Sequence, residues 1–248
     1  MMKKFLSAFA LTACCSTTHA SAATTEKAVK LYQTHFFLGK CEMTVARDAF
    51  RLDNAGNFKF VVVAKAPDWT VSVYRNDDKT YFSEKLAIFA DTGVVSEYLV
   101  ARKERLIDPR AHIKSEMNLS GFKIVRMTAS RQTIKYLPLD RALNAPPQVE
   151  SIAHGLYKMP TNGGLPISYS ATANTKDFFG AGQGKGSLQV YLDTTKIETV
   201  EVAPAYFEVP KGYKKAVSVR SVVSGKHAVE QSEDALETFG RDVEQPKK

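Results

Sequence analysis

Residues 41–84 read CEMTVARDAFRLDNAGNFKFVVVAKAPDWTVSVYRNDDKTYFSE, and the spacing of apolar residues and turn formers in this stretch decides the fold class. Within Glu42–Asp48, Met43, Val45 and Arg47 fall on one face, because strand side chains alternate at period two. Asn54-Ala55-Gly56-Asn57 is a turn of residues that accept positive φ, and Phe58–Lys65 after it is a β-branched run. Pro67-Asp68 interrupts. Trp69 to Tyr74 then alternates, with Trp69, Val71 and Val73 on one side, before Asn76-Asp77-Asp78 turns the chain into Thr80-Tyr81-Phe82 as a hairpin. Four short strands in succession make an antiparallel meander.

The chain around this block has 248 residues, a length one β-rich domain fills once a leader is removed. With 44% hydrophobic and 24% charged residues it carries enough apolar surface to build a core, which excludes wholesale disorder. The formal net charge of +8 is well spread. It favours anionic headgroups, glycans or acidic partners in a modest way. No Lys/Arg run is interleaved with aromatics, so nucleic acid is not an expected partner.

Residues 1–22 have the order of an export signal: Lys3 and Lys4, then the apolar run Phe5–Ala13, then the small-residue site Ala20-Ser21-Ala22. The apolar run is too short to span a bilayer. A second reading shares the place. Leu11-Thr12-Ala13-Cys14 resembles a bacterial lipobox, in which residues 1–13 are removed and Cys14 is lipidated, leaving CSTTHASAATT as a tether. The expected location is periplasmic, or the outer membrane if Cys14 carries lipid. Cleavage after Ala22 leaves Cys41 alone, and cleavage before Cys14 leaves Cys15 and Cys41 as a conceivable pair; neither is a disulfide scaffold. Cys41 itself reads as a small packed side chain, with a redox or metal role as the alternative.

The body of the domain is expected over residues 24–223. Ala28, Leu31, Tyr32 and His35 stand at helical spacing, so Thr24–Phe37 reads as a short helix. Ser83–Phe89 and Glu97–Ile107 read as helices, and Met117–Arg126 and Thr133–Leu139 as strands, with a bulge or tight bend at Gly121. Val149, Ile152, Ala153, Leu156 and Tyr157 form an i, i+3, i+4, i+7, i+8 stripe behind Pro146-Pro147, the clearest helical pattern in the chain and the expected lid of a half-open barrel. Leu165 and Ile167 lead an outgoing strand. Leu188, Val190 and Leu192 are expected to face inward, and Asp193-Thr194-Thr195 to turn the chain into Ile197–Val202. Pro210 and Gly212 form a turn held by Phe207 and Tyr213, Val217–Val223 is a last strand, and residues 224–248 are a charged tail, helical or disordered.

The order Val45-x-Arg47, Phe50-Arg51-Leu52, an alternating strand and Lys79-Thr80-Tyr81-Phe82 resembles the front half of the LolA/LppX-like periplasmic carriers of lipoprotein and lipid. The later passage from a helix through Gly164-Leu165-Pro166 into a strand is similar too. Asp48 stands where those carriers have Pro, and Leu52 replaces an aromatic residue. The resemblance implies a mainly β (α+β) fold: a curved antiparallel sheet or half-open β-barrel covered by a few short helices. It also implies binding of a lipid, a lipoprotein acyl chain or another apolar ligand, with peripheral or lipid-anchored membrane contact. Met43, Val45, Trp69, Val71 and Val73 are the expected lining, with Ile152 and Leu156 from the lid. Arg47 either snorkels to water at the strand end or points toward the lid or a headgroup.

No catalytic constellation accompanies this. His35, His112, His154 and His227 are scattered, with no H-E-x-x-H and no C-x-x-C, and His154 lies off the apolar stripe as an expected surface residue. No G-x-S-x-G occurs. The run GAGQGKG at 180–186 lacks the Ser/Thr and the following helix of a P-loop and reads as a rim loop. The expectation is a non-catalytic binding protein without metal or cofactor, or, as the alternative, a structural or interaction protein of the bacterial envelope with a filled core.

Overall fold

The computed structural model describes residues 25–56, 58–94, 113–129, 132–172 and 188–225. The expected leader, Cys14, the helix expected at Glu97–Ile107, the Gly-rich loop, His112, His227 and the tail beyond residue 225 lie outside these. The strands are β1 Glu26–His35, β2 Gly39–Ala46, β3 Ala49–Asn54, β4 Val61–Lys65, β5 Val71–Arg75, β6 Thr80–Glu84, β7 Ile113–Leu119, β8 Phe122–Ala129, β9 Gln132–Pro138, β10 Gly164–Thr172, β11 Leu188–Val202 and β12 Lys214–Lys215. Helices α1 (Leu86–Thr92), α2 (Leu139–Ala142) and α3 (Pro147–Tyr157), a 3-10 turn at Pro204–Phe207 and a helix α4 at residues 219–225 complete the described chain.

All strands belong to one open sheet in the order β12-β6-β5-β4-β3-β2-β1-β11-β10-β9-β8-β7. Every pairing is antiparallel except β12 with β6. The fold class is thus mainly β, a curved sheet with a few helices, and the sheet does not close into a barrel. The meander read from residues 41–84 is present as β2 to β6, one strand richer than expected because Ala49–Asn54 is a strand of its own.

One face of this sheet is apolar in rows. Leu31, Met43, Leu52, Val62, Val73 and Phe82 are successive cross-strand partners. Against this face lies α3. Four strand spacings separate β3 from β10, about 19 Å in a flat sheet, whereas a helix is about 10 Å across with its side chains. α3 touches both strands, its length of about 16 Å and the curvature of the sheet together bridging them. An isolated helix of this length is marginal in water, so its burial on the sheet holds α3 helical.

Helix α1 closes over the other side of α3, and the two meet backbone to backbone. A Cβ on Gly93, which ends α1 at φ +60°, would sit 2.0 Å from the Gly155 carbonyl oxygen. The convex face of the sheet carries two smaller clusters. Phe207 fills a dimple left by Ala28, Ala46 and Ala49, and Tyr213 packs edge-on against Tyr74 beside Val61 and Val63. Arg51 fastens this strap, holding Asp53 through two hydrogen bonds (2.5 and 2.7 Å), donating to the Tyr206 carbonyl at 2.7 Å and stacking on the Tyr206 ring at 4.2 Å.

Four expectations are corrected. Thr24–Phe37 holds strand β1, since its core positions Val29, Leu31, Gln33 and His35 alternate at period two. Residues 113–129 are a hairpin, with Ser120 and Gly121 both at positive φ as its turn. β11 runs unbroken through Asp193-Thr194-Thr195, where the chain bulges against β1 instead of turning, and a further bulge against β10 brings Leu188 and Val190 outward, 67% and 53% exposed. Residues 219–225 form a helix with Ser218 as its N-cap, the Ser221 N–H donating to the Ser218 hydroxyl at 3.2 Å, and Val219, Val222 and Val223 buried at i, i+3, i+4.

The helix contact and the outward turn of β11 give opposite expectations for substitution. Gly93→Ala adds both positive-φ strain and a backbone clash, and is expected to lower unfolding free energy by about 3 kcal/mol or more. Leu188→Ser is expected to change it by less than about 0.5 kcal/mol. Urea denaturation followed by circular dichroism measures both.

Candidate functional site

The apolar side chains expected to line a cavity do come together. Met43, Val45, Trp69, Val71, Val73, Ile152 and Leu156 all belong to one contiguous cluster that joins both halves of the sheet to α3. Met43, Val45, Val71, Ile152 and Leu156 retain essentially no accessible surface. A void wide enough for water would leave surface on its lining, so these side chains face packed neighbours. Burial on α3 extends beyond the apolar stripe to Glu150, His154 and Gly155, which makes it a core helix and not a lid with a solvent face. Arg47 does not join the cluster. It is exposed in the bend between β2 and β3, as the snorkelling reading has it.

The chemically distinctive place is a row of polar side chains beneath the end of α3. Thr194, Gln33, Cys41 and Asn54 are cross-strand neighbours on β11, β1, β2 and β3, and all four are buried. The Gln33 amide donates to the Pro166 carbonyl at 2.8 Å and to the Thr194 hydroxyl at 3.0 Å. Its carbonyl accepts from the Tyr157 hydroxyl at 2.8 Å. This is the bond between helix and sheet that the sequence offered to Arg47. Asn54 donates to the Leu38 carbonyl at 2.8 Å and accepts from the backbone N–H groups of Phe58 and Lys59, tying two turns together.

His35 stands beside this row, two residues along β1 from Gln33, stacked on the Tyr157 ring with centroids 5.1 Å apart. Its Nδ1 accepts from the N–H groups of Phe37 (3.3 Å) and Leu38 (3.1 Å), which assigns the ring proton to Nε2. Nε2 is buried without a hydrogen-bond partner. Burial pushes the His35 pKa down to about 3 and the Cys41 thiol up to about 11, and it carries the Tyr157 hydroxyl well above its ordinary value. The imidazole's one lone pair, on Nδ1, is taken by two backbone N–H groups, and a protonated thiol and phenol are weak nucleophiles, so the row is built to stay uncharged.

A second polar tie lies along α3. Thr161 donates to the buried Glu150 carboxylate, and Lys158, at φ 50°, donates to the Ala90 and Asp91 carbonyls at the end of α1, each at 2.7 Å. His154, expected at the surface, is buried with Nδ1 3.1 Å from the Met159 carbonyl. Burial of this end of α3 continues at Gly155 and Lys158, both of which α1 contacts. Among the described residues no group of three His, Cys, Asp or Glu could hold a metal ion. No helix among them is long and apolar enough to cross a membrane.

Gln33, His35, Asn54, Tyr157 and Thr194 were not marked in the sequence as a group. Gln33 and His35 alternate with Val29 and Leu31, and that period was the available signal.

No family model and no curated protein matches this chain. A solved structure, an uncharacterized conserved protein from Thermus thermophilus, is similar at 9% identity, covering 76% of this chain and 89% of that one, with a TM-score of 0.39.

The buried imidazole sets a pH dependence. His35 is neutral in the folded state down to about pH 3, but in the unfolded chain it binds a proton near pH 6.5. The unfolded state therefore holds more protons between those values, and stability falls as pH drops through that window by about 1.4 kcal/mol per unit. His35→Asn keeps an acceptor for the two N–H groups and removes the titration. Between pH 6.5 and 4.5 the wild type is expected to lose about 2–3 kcal/mol more than the variant in urea denaturation.

Proposed function

We propose that this chain is an exported, non-catalytic protein of the cell envelope that acts through its surface, its interior being occupied by its own helix. The observation that carries the reading is the burial of every α3 residue from Ile152 to Tyr157, with Met43, Val45, Val71, Ile152 and Leu156 packed and without accessible surface. A standing pocket for a ligand needs room lined by such residues. The uncharged polar row supports the non-catalytic part, because its groups are engaged in holding turns and helix to the sheet. The leader-like order of residues 1–22 supports export to the periplasm, or retention at the outer membrane through an acylated Cys14.

A second reading, carriage of a lipid or a lipoprotein acyl chain, rests on the apolar wall that α3 covers. If α3 swung away, the row Leu31, Met43, Leu52, Val62 and Val73 would offer an acyl chain the surface it needs. Such a movement would break the bond from the Tyr157 hydroxyl to Gln33. That reading makes α3 a substitute for the ligand.

Native mass spectrometry of the protein purified from its producing cells, paired with solvent extraction, separates the two. The first reading expects the polypeptide mass alone and no lipid near one equivalent. One lipid per chain, recovered reproducibly, replaces it with the carrier reading. The same intact mass reads the N-terminus, since cleavage after Ala22 and a diacylglyceryl Cys14 give different masses.

A further inference from the structure

Among the described residues, one rim of the sheet gathers several exposed cations on a segment that has no carboxylate of its own. Residues 209–225, VPKGYKKAVSVRSVVSG, contain Lys211, Lys214, Lys215 and Arg220 and no carboxylate. All four are exposed. The two-residue strand β12 places Lys214 and Lys215 on the outer edge of β6, with the Lys214 N–H donating to the Lys79 carbonyl at 2.8 Å, and this adds the exposed Lys79 to the group. Among the described residues none of the five cations forms an ion pair. The acids of the adjoining turn are already engaged, since Asp77 and Asp78 both face Arg75, at 2.7 and 3.6 Å. On the convex face, by contrast, Lys30, Arg51 and Lys196 each hold a neighbouring carboxylate. Val217, in the middle of the rim, is 89% exposed, a higher exposure than any other large apolar residue described.

We propose that this rim is a docking surface for an anionic lipid bilayer. Charge complementarity is the first argument: five unpaired cations along one edge meet a surface that carries negative charge as a continuous field. The identity of the cations is the second. Four of the five are lysines, compact point charges on flexible stems, suited to a diffuse field rather than to bidentate capture of one fixed carboxylate as arginine is. The third is Val217, an aliphatic group at the contact line with no protein partner, placed to enter the headgroup region while the lysines bind the phosphates. The inference concerns the outside of the fold, so it stands or falls independently of whether the interior is filled.

Each Lys close to an anionic membrane contributes about 1 kcal/mol, which is roughly fivefold in partition. The test is co-sedimentation of the purified protein with vesicles of phosphatidylcholine, alone or with about 30% phosphatidylglycerol, at about 0.1 M salt, where screening leaves short-range charge contacts intact. Preferential binding to the anionic vesicles is expected, with loss of roughly 100-fold or more in partition for the triple variant Lys211→Glu, Lys214→Glu, Lys215→Glu and a severalfold loss for Val217→Ser. Reversal of Lys27, Lys40 and Lys123, exposed elsewhere, changes net charge equally and is expected to leave partition within about threefold of wild type if the rim and not total charge is read. All substituted sites are exposed, and circular dichroism checks that each variant is folded. Equal binding to both vesicles, as a lipid tether at Cys14 alone would give, overturns the proposal. So does equal loss in the two triple variants, or capture of polyglutamate with no binding to vesicles, which would assign the rim to an acidic polymer.

Discussion

A helix buried over most of its surface cannot lie uncovered on a flat sheet, and the architecture follows from that constraint. For α3 to bury Val149, Ile152 and Leu156 together with Glu150 and His154, the sheet must curl past its flanks and something must close over its back. The curl is carried by the rows of β-branched and aliphatic side chains on β1 to β5. The closure is α1, brought to backbone contact by Gly93 and Gly155, two residues whose lack of a Cβ sets how near the helices come. Polar groups inside follow the same constraint. With water excluded, an unpartnered polar group is costly; Glu150, Lys158, Tyr157 and Gln33 find partners on other elements of the fold, while His35 Nε2 has none.

Most of the meander and the central helix were legible in the residues. Alternation from Val71 to Tyr74 and the stripe from Val149 to Tyr157 are strong because apolar residues occupy nearly every buried position there. The failures share a cause. In β1 the buried positions include Gln33 and His35, so the period-two pattern is broken by polar residues and the accidental spacing of Ala28, Leu31, Tyr32 and His35 suggests a helix. In α4 the composition is β-branched, yet burial of Val219, Val222 and Val223 against the core overrides the propensity, and the Ser218 cap was the local sign of it. In β11 the polar triplet Asp193-Thr194-Thr195 looks like a turn because sequence cannot show that Thr194 will donate to the Ile167 carbonyl from inside the sheet.

The candidate site divides along the same line. The side chains chosen for being apolar fall in one core cluster, since burial depends mainly on their own chemistry. Which of them would face a cavity and which a packed helix depends on how closely α3 fits the curl, a sum of many small contacts that no local pattern encodes. The expectation for Arg47 rested on its sharing a face with Met43 and Val45; the strand ends at Ala46, one residue too soon for that alternation to carry it inward. The polar row was missed because its members are spread over β1, β2, β3, β11 and α3 and become neighbours only through pairing register.

The position of β1 has a consequence in time. It sits near the middle of the sheet, between β2, which follows it at once, and β11, whose pairing runs from His35 with Leu192 to Glu26 with Val202. Such distant closure adds little to the equilibrium cost, about 0.6 kcal/mol for each doubling of the intervening loop, but it is slow to form. As the chain is synthesised, β1 to β6 can pair as a half-sheet before β11 exists, with β1 as a bare edge open to pairing with any passing strand. That edge is satisfied only once residues 192–202 are available to pair. Until then the sheet cannot complete its centre, and the chain's own C-terminal half is the partner that this edge waits for.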